Sequence, residues 1–531
     1  VFDELSKSLS TIGNLAMTNL KVALLTEGTY PFVEGGVSTW CDILCRNLSE
    51  IEYHIIAVTG NPLEKQLYTL PPNVTRVTQV PMWGLSEPGE FLEPDAKLGN
   101  HWLRKFRTSP IQIQQKFLPH FRVFLRAVED ETVPPMAVIR ALAGMHDFWR
   151  QHDYLATMRS EAVWDTFYTI ARENYQRFQA LYPPEEVPSQ YDFMTASRWL
   201  RNYLIMLNAP LPDVDICHAT IASSVALVGV VAKYKNDTPL ILTEHGIYLR
   251  ERMLALSELQ HISFYLRRFL TCFSQLCSRL CYRYADQVSP VCRFNHRWER
   301  LYGLTEPRLR TIYNGIDSDV FKPQPKPAIS KDRPTVITAA RVYPLKDILT
   351  LIRAANETRR VIPDVQFIVH GSITADPQYV QACRSLIAEF ELENHFKLAG
   401  NHNKPSDLYN IGDISMLSSI SEGFPYSVIE AMSCARPVVA TDVGGVREAL
   451  QGVGLSVRPR DYEALAAGAV RLLQNSEMCL EMGQKARQRV LDRFTLQNFV
   501  QQYALSYQNI HTEAQQNKTR VAVDLASAAI A

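Results

Sequence analysis

Ser421-Glu422-Gly423-Phe424-Pro425-Tyr426-Ser427-Val428-Ile429-Glu430-Ala431-Met432 is the stretch on which the reading of the whole chain turns. Ile414-Ser415-Met416-Leu417, just ahead of it, is an apolar run of strand length. Behind it, Val428, Ile429, Ala431 and Met432 recur with the spacing of a buried helix face. Pro425 suits a first helical turn, where a missing N–H costs nothing and φ is already set. The spacing predicts Glu422 on a strand-to-helix loop and Glu430 about one and a half turns into the helix. Free amides of Gly423 and its neighbours then point out of the helix start, ready for anionic or hydroxyl-rich ligands. One carboxylate at the mouth and one further in suit a polyol held beside a phosphate. The plainer alternative, a capping Glu422 and a solvent-facing Glu430, is not separated from this by a short motif alone.

The chain has 531 residues, too many for one ordinary core, so two large domains are expected. Apolar residues make up 46% and charged residues 21%, the balance of a globular protein. Basic and acidic residues number 55 each, which removes any general electrostatic argument for nucleic acid as a partner. The apolar run at 221–232 is shorter than the roughly 20 residues a spanning helix needs. Residues 1–16 lack the sustained apolar stretch of a secretory signal, and residues 1–18 read as a loosely held leader. The expected location is cytoplasmic. Ten scattered cysteines in apolar contexts then read as reduced, buried thiols. Cys272, Cys277, Cys281, Cys292 and His296 match no standard zinc spacing, so no metal site is expected there.

Two strand–loop–helix units organise the rest. In the first, Lys21-Val22-Ala23-Leu24-Leu25 reads as a buried strand, 26–36 as a loop and 37–48 as a helix. The loop holds Gly35-Gly36 rather than G-x-G-x-x-G, which argues against a dinucleotide fingerprint. Backbone without a Cβ lets the chain approach a phosphate closely, or merely turn. Residues 84–207 are helical, aromatic and charged: an insertion that serves as an acceptor-binding lid, a partner surface or an extra packing layer. Strands at 215–218 and 240–246 end in polar tips that carry His218 and His245, where ligands of parallel sheets gather, His245 being the better placed. Asp213 and Asp215 form an Asp-x-Asp that reads as merely preceding a strand. The helix at 264–285, rich in Arg267, Arg268, Arg279 and Arg283, is either an acid-paired solvated face or a surface for membrane or an anionic partner.

A Pro/Lys-rich linker at 322–334 precedes the second unit, whose first strand is expected at 335–340. Arg341 and Lys346 leave that strand's tip. Two positive charges converging there suit a diphosphate, the arginine bidentately and the lysine as a point charge. Further strand tips carry His370-Gly371-Ser372 and Asn401-His402. A last helix is expected at 496–510, with a loose tail beyond about 511.

Several of these features together resemble family 4 of the retaining glycosyltransferases, over 19–60 and 213–512. They are Glu422 and Glu430 with seven residues between them and Gly-Phe-Pro after the first, Pro437-Val438-Val439-Ala440-Thr441, Gly444-Gly445-Val446-Arg447-Glu448, and the Arg341-to-Lys346 spacing. The resemblance implies the α/β GT-B fold, two Rossmann-like domains facing across a cleft. Here these would be 19–310, with 84–207 as a large helical insertion, and 311–495, with a helix at 496–512 crossing back to the first domain. It also implies a UDP-sugar donor, a glycan acceptor and no metal or cofactor. Arg341 and Lys346 would hold the diphosphate, with Gly35 and Gly36 closing on it. Gly371, Asn401 and His402 would lie at the donor, and Glu430 on the ribose. Glu422 with the backbone of Gly423, Phe424 and Pro425 would grip the sugar, and His245 would hydrogen-bond near its reacting centre. A membrane-embedded polysaccharide synthase or export complex is the implied partner, placing the protein at the inner face of a membrane. The family's glycine after the lysine is Asp347 here, which leaves the local phosphate geometry open. A sugar phosphorylase of the same fold and a non-catalytic nucleotide-sugar-binding subunit are the alternative readings.

Overall fold

The computed structural model describes residues 20–84, 98–182, 186–259, 261–327, 333–402 and 404–530. The leader expected at 1–18 lies outside them, as do parts of the insertion (85–97 and 183–185) and of the linker (328–332). The chain divides into two compact units. One runs to Ser289 and adds Arg297–Arg310 and the segment from Ala504; the other holds Pro290–His296 and Thr311–Tyr503.

The first unit is built on β1 (Lys21–Glu27), β2 (Glu52–Thr59), β3 (Val74–Pro81), β4 (Ile216–Ala219), β5 (Leu240–Glu244) and β6 (Gln287–Pro290), in the order β3-β2-β1-β4-β5-β6. Pairing is parallel, with Leu24 standing between Ile55 and His218. Val22, Ala23, Leu24 and Leu25 are all buried, as an unbroken apolar strand must be when helices cover both faces of the sheet. The second unit repeats the plan with β7 (Thr335–Ala339), β8 (Gln366–His370), β9 (Phe396–Gly400), β10 (Ile414–Leu417), β11 (Val438–Thr441) and β12 (Leu455–Val457), in the order β12-β11-β10-β7-β8-β9. Each order reverses once, between β1 and β4 and between β7 and β10. In doubly wound sheets ligands bind outside the carboxyl ends of the strands at that reversal.

The helices between β3 and β4 bury Phe117, Phe121, Phe124, Trp149 and Phe167 in the same continuous core as Ala23 and Leu25 of β1. Those aromatics are packing. The arginines of the helix Phe264–Tyr284 are largely engaged by neighbours: Arg268 pairs with Glu129, Arg279 with Glu131 at 3.7 Å, and Arg267 donates to the Leu259 carbonyl at 3.1 Å. That is the acid-paired face of the two readings.

The loose tail expected beyond about 511 is instead helical, because the helix that starts at Leu496 continues to Ile530. No glycine or proline interrupts that span, and Phe499, Tyr503, Tyr507 and Ile510 form a buried stripe along its first half. All ten cysteines are free thiols, eight of them buried. No helix among the described residues is long and apolar enough to cross a membrane.

Candidate active site

At the β7–β10 reversal, three loops are fastened to one another. Gly371 adopts φ 151°, and a Cβ there would lie 2.1 Å from the Ala340 carbonyl oxygen. Only glycine lets the chain leaving β8 run against the chain leaving β7, and the contact fixes where Arg341 departs. The Arg341 guanidinium lies over the Tyr343 ring, 5.0 Å from its centroid. It is exposed and has no ion-pair partner among the described residues. Beyond it, Ile420 N–H donates to the Leu345 carbonyl at 2.9 Å and Ser418 Oγ to the Lys346 carbonyl at 2.8 Å. These bonds tie the β7 loop to the β10 loop and bring Lys346 Nζ to 2.5 Å from Glu422 Oε1. Ser419 Oγ donates to the same oxygen at 2.6 Å.

Gly444 and Gly445 hold the Glu422 loop from the β11 side. Gly444 has φ 55°, and a Cβ on it would stand 1.9 Å from the Glu422 carbonyl oxygen; Gly445 N–H donates to the Gly423 carbonyl at 2.6 Å. Phe424 is buried against Tyr313 and Phe494, ring centroids 5.0 and 5.1 Å away, and its carbonyl accepts from Asn314 Nδ2 at 2.8 Å. Its side chain thus anchors the loop, and what it can offer a ligand is backbone. The N–H groups of Gly423 and Phe424 have no partner among the described residues. Pro425 is the cap of the helix Tyr426–Ser433 at ψ 126°, one residue ahead of the first turn where the sequence reading puts it. Glu430 therefore stands a little over one turn in. It accepts a 2.6 Å hydrogen bond from Tyr409 OH. Burial pushes its carboxyl up to about 7, against the opposing effect of that bond.

Asp347, where the family's glycine would stand, takes the left-handed conformation (φ 46°, ψ 51°) that glycine adopts freely. Its carboxylate caps the helix Ile348–Val361 by accepting from Thr350 N–H at 3.4 Å. The backbone shape survives the substitution. Asn401 is exposed beyond β9, and the His402 ring stands edge-on to His370 at 5.0 Å.

In the first unit, Gly35 precedes the helix Gly36–Asn47, and a Cβ on Gly35 would meet nothing within 4 Å. The loop keeps open space beside it. His218 is fully buried, with Nδ1 2.7 Å from Tyr507 OH and Nε2 2.8 Å from Thr243 Oγ1. Both ring nitrogens are taken, so its role is structural. His245 stands edge-on to Trp40 at 4.9 Å, its Nε2 without a partner among the described residues. Burial lowers both imidazoles to about 3, which keeps His245 neutral near pH 7, with one nitrogen free to donate or accept. Asp215 accepts from Lys21 N–H at 2.9 Å at the start of β1, away from the carboxyl ends of the strands. Among the described residues no three His, Cys, Asp or Glu side chains are grouped to hold a metal ion.

Three groups escaped the sequence reading. Tyr409 partners Glu430, Ser419 partners Glu422, and Glu27 at the tip of β1 takes a hydrogen bond from Ser223 while burial raises its carboxyl. Only Glu27 carried a signal, an acid two residues past an apolar run.

Two parallel six-stranded sheets with the same reversed order define the GT-B class. The chain belongs to the family described as "Domain of unknown function (DUF3492)", whose model matches residues 20–306. Residues 320–489 match the model described as "Glycosyl transferases group 1". Among curated proteins, N-acetyl-alpha-D-glucosaminyl L-malate synthase of Bacillus anthracis is 24% identical over 210 residues, 38% of this chain and 54% of that protein. The chain spans about half the length of the curated relatives it matches first. Among solved structures, sucrose-phosphate synthase of Thermosynechococcus elongatus matches with TM-score 0.58 and 17% identity over 93% of this chain and all of that one. Anabaena Alr3699/HepE in complex with UDP and glucose matches with TM-score 0.55 and 15% identity over 92% and 98%. At these identities the likeness is one of fold.

Proposed function

We propose that the protein is a retaining, metal-independent glycosyltransferase that moves a sugar from a UDP-sugar to a growing exopolysaccharide or other glycan. The observation that carries this reading is the meeting of Lys346 and Glu422, 2.5 Å apart, beside Arg341 at the β7–β10 reversal. One cation balances a carboxylate while a second has no ion-pair partner among the described residues, an arrangement suited to a diphosphate arriving beside a polyol. The UDP and glucose named with the Anabaena neighbour support a uridine nucleotide donor.

On donor arrival Lys346 turns to the diphosphate, which frees Glu422 for the hydroxyls of the sugar, and Glu430 takes the ribose. The bond from the sugar's anomeric carbon to the phosphate oxygen breaks as the acceptor oxygen bonds to that carbon on the same face. The departing phosphate oxygen takes the acceptor's proton, and Arg341 and Lys346 offset its charge. Leu25-Thr26-Glu27-Gly28-Thr29-Tyr30-Pro31 and Thr243-Glu244-His245-Gly246-Ile247-Tyr248 resemble the Pel exopolysaccharide glycosyltransferase, which supports a polysaccharide acceptor. The test is UDP release across a panel of UDP-, GDP- and ADP-sugars with and without EDTA. UDP-sugar turnover that survives chelation is expected. Turnover only with another nucleotide, or only after Mg²⁺ or Mn²⁺ is restored, contradicts the reading.

A further inference from the structure

We propose that the helix Leu98–Arg107 docks the protein on an anionic lipid surface. Most aromatics of the insertion are buried; Trp149, for example, is 0% exposed. On this helix the pattern inverts. Trp102 is 67% exposed, Leu103 43% and Phe106 88%. Trp102 and Phe106 are four residues apart, so they share one face, with Leu103 beside them. Ile111, 63% exposed, follows just beyond the helix. Leaving this much aromatic and aliphatic surface in water forfeits burial that the rest of the insertion uses.

The charge around the patch points to its occupant. Arg104, Lys105 and Arg107 fill the last turn, and Lys105 Nζ sits 5.8 Å from the Trp102 ring centroid. From Leu98 to Val128 there is no aspartate or glutamate, while Lys116, Arg122 and Arg126 add further positive charge. Acids flank this stretch at 87–95 and 129–131; in the second group Glu129 and Glu131 pair with Arg268 and Arg279. A helix with Trp, Phe and Leu on one side and Lys and Arg around them has the composition that lies in a bilayer interface. Its rings enter the acyl boundary and its cations meet phosphate headgroups. The same face of a second copy would set like charges against each other.

The test is co-sedimentation of the full chain with phosphatidylcholine vesicles, with and without phosphatidylglycerol, at low and high salt. The protein should pellet with the anionic vesicles at low salt and far less with neutral vesicles or at high salt. Trp102→Ser with Phe106→Ser should lower partitioning about 10-fold or more, with melting temperature and UDP binding unchanged. Arg107→Glu with Lys116→Glu should lower it too. The proposal is overturned if the wild type stays in solution with anionic vesicles, or if the Trp102/Phe106 variant pellets as the wild type does. It is also overturned if that variant merely converts a dimer to a monomer without vesicles.

Discussion

Lys346 Nζ lies 2.5 Å from Glu422 Oε1, with side chains 19% and 9% exposed. Two opposite charges so far out of water depend on each other, because removing one leaves the other buried without compensation. Lys346→Ala and Glu422→Ala should therefore each destabilise the fold, and the double variant should be more stable than the sum of the two losses implies. A coupling of about 1–3 kcal/mol is expected from urea melts of the four proteins; additive losses would mean the contact is not formed in solution.

Glu430 gives a pH signature. Burial pushes its carboxyl up to about 7, so in the free protein it is mostly protonated at pH 6 and mostly ionised at pH 8. Ribose hydroxyls donate best to the ionised form. Uridine, which carries no phosphate to titrate, should bind about 10-fold more tightly at pH 8 than at pH 6. In Glu430→Gln that slope should vanish. An equal slope in both proteins removes Glu430 from the ribose site.

Glu299 predicts a stability change with pH. It is fully buried, neither carboxyl oxygen has a partner among the described residues, and burial raises it to about 8. Below the unfolded carboxyl value near 4.5 both states hold the proton. Between there and about 8 the folded state keeps a proton that the unfolded state has released, so stability falls as pH rises through that window and levels off above it. Glu299→Met should abolish that loss and stand more stable than the wild type at pH 8 by up to about 4 kcal/mol. Denaturant melts at pH 5 and pH 8 decide it, and parallel curves for the two proteins would contradict it.

What the sequence revealed follows from the range of the forces involved. Short apolar runs such as Ile414-Ser415-Met416-Leu417 are legible because burial on both faces demands them. β3 escaped because Thr75, Arg76, Thr78 and Gln79 break its pattern at the sheet edge. The glycine pair after β11 was visible as a motif, but its reason was not: Gly444 makes room for the Glu422 carbonyl, a contact only the folded chain creates. Partnerships across the chain were equally silent. Lys346 and Glu422 are 76 residues apart, and Ser223 meets Glu27 from 196 residues away. The length of the last helix was missed because an uninterrupted run of helix-tolerant residues carries no stop signal of its own.

The central claim is that Arg341 and Lys346 hold a nucleotide diphosphate at the β7–β10 reversal. Titration calorimetry of the wild type and of Arg341→Ala with Lys346→Ala, each against UDP and against uridine, tests it most directly. Melting curves should first establish that the variant is folded. Losing two charge-assisted contacts should weaken UDP binding about 100-fold or more while leaving uridine binding unchanged. Equal UDP affinity in the two proteins, or wild-type binding of UDP no tighter than of uridine, would contradict the account.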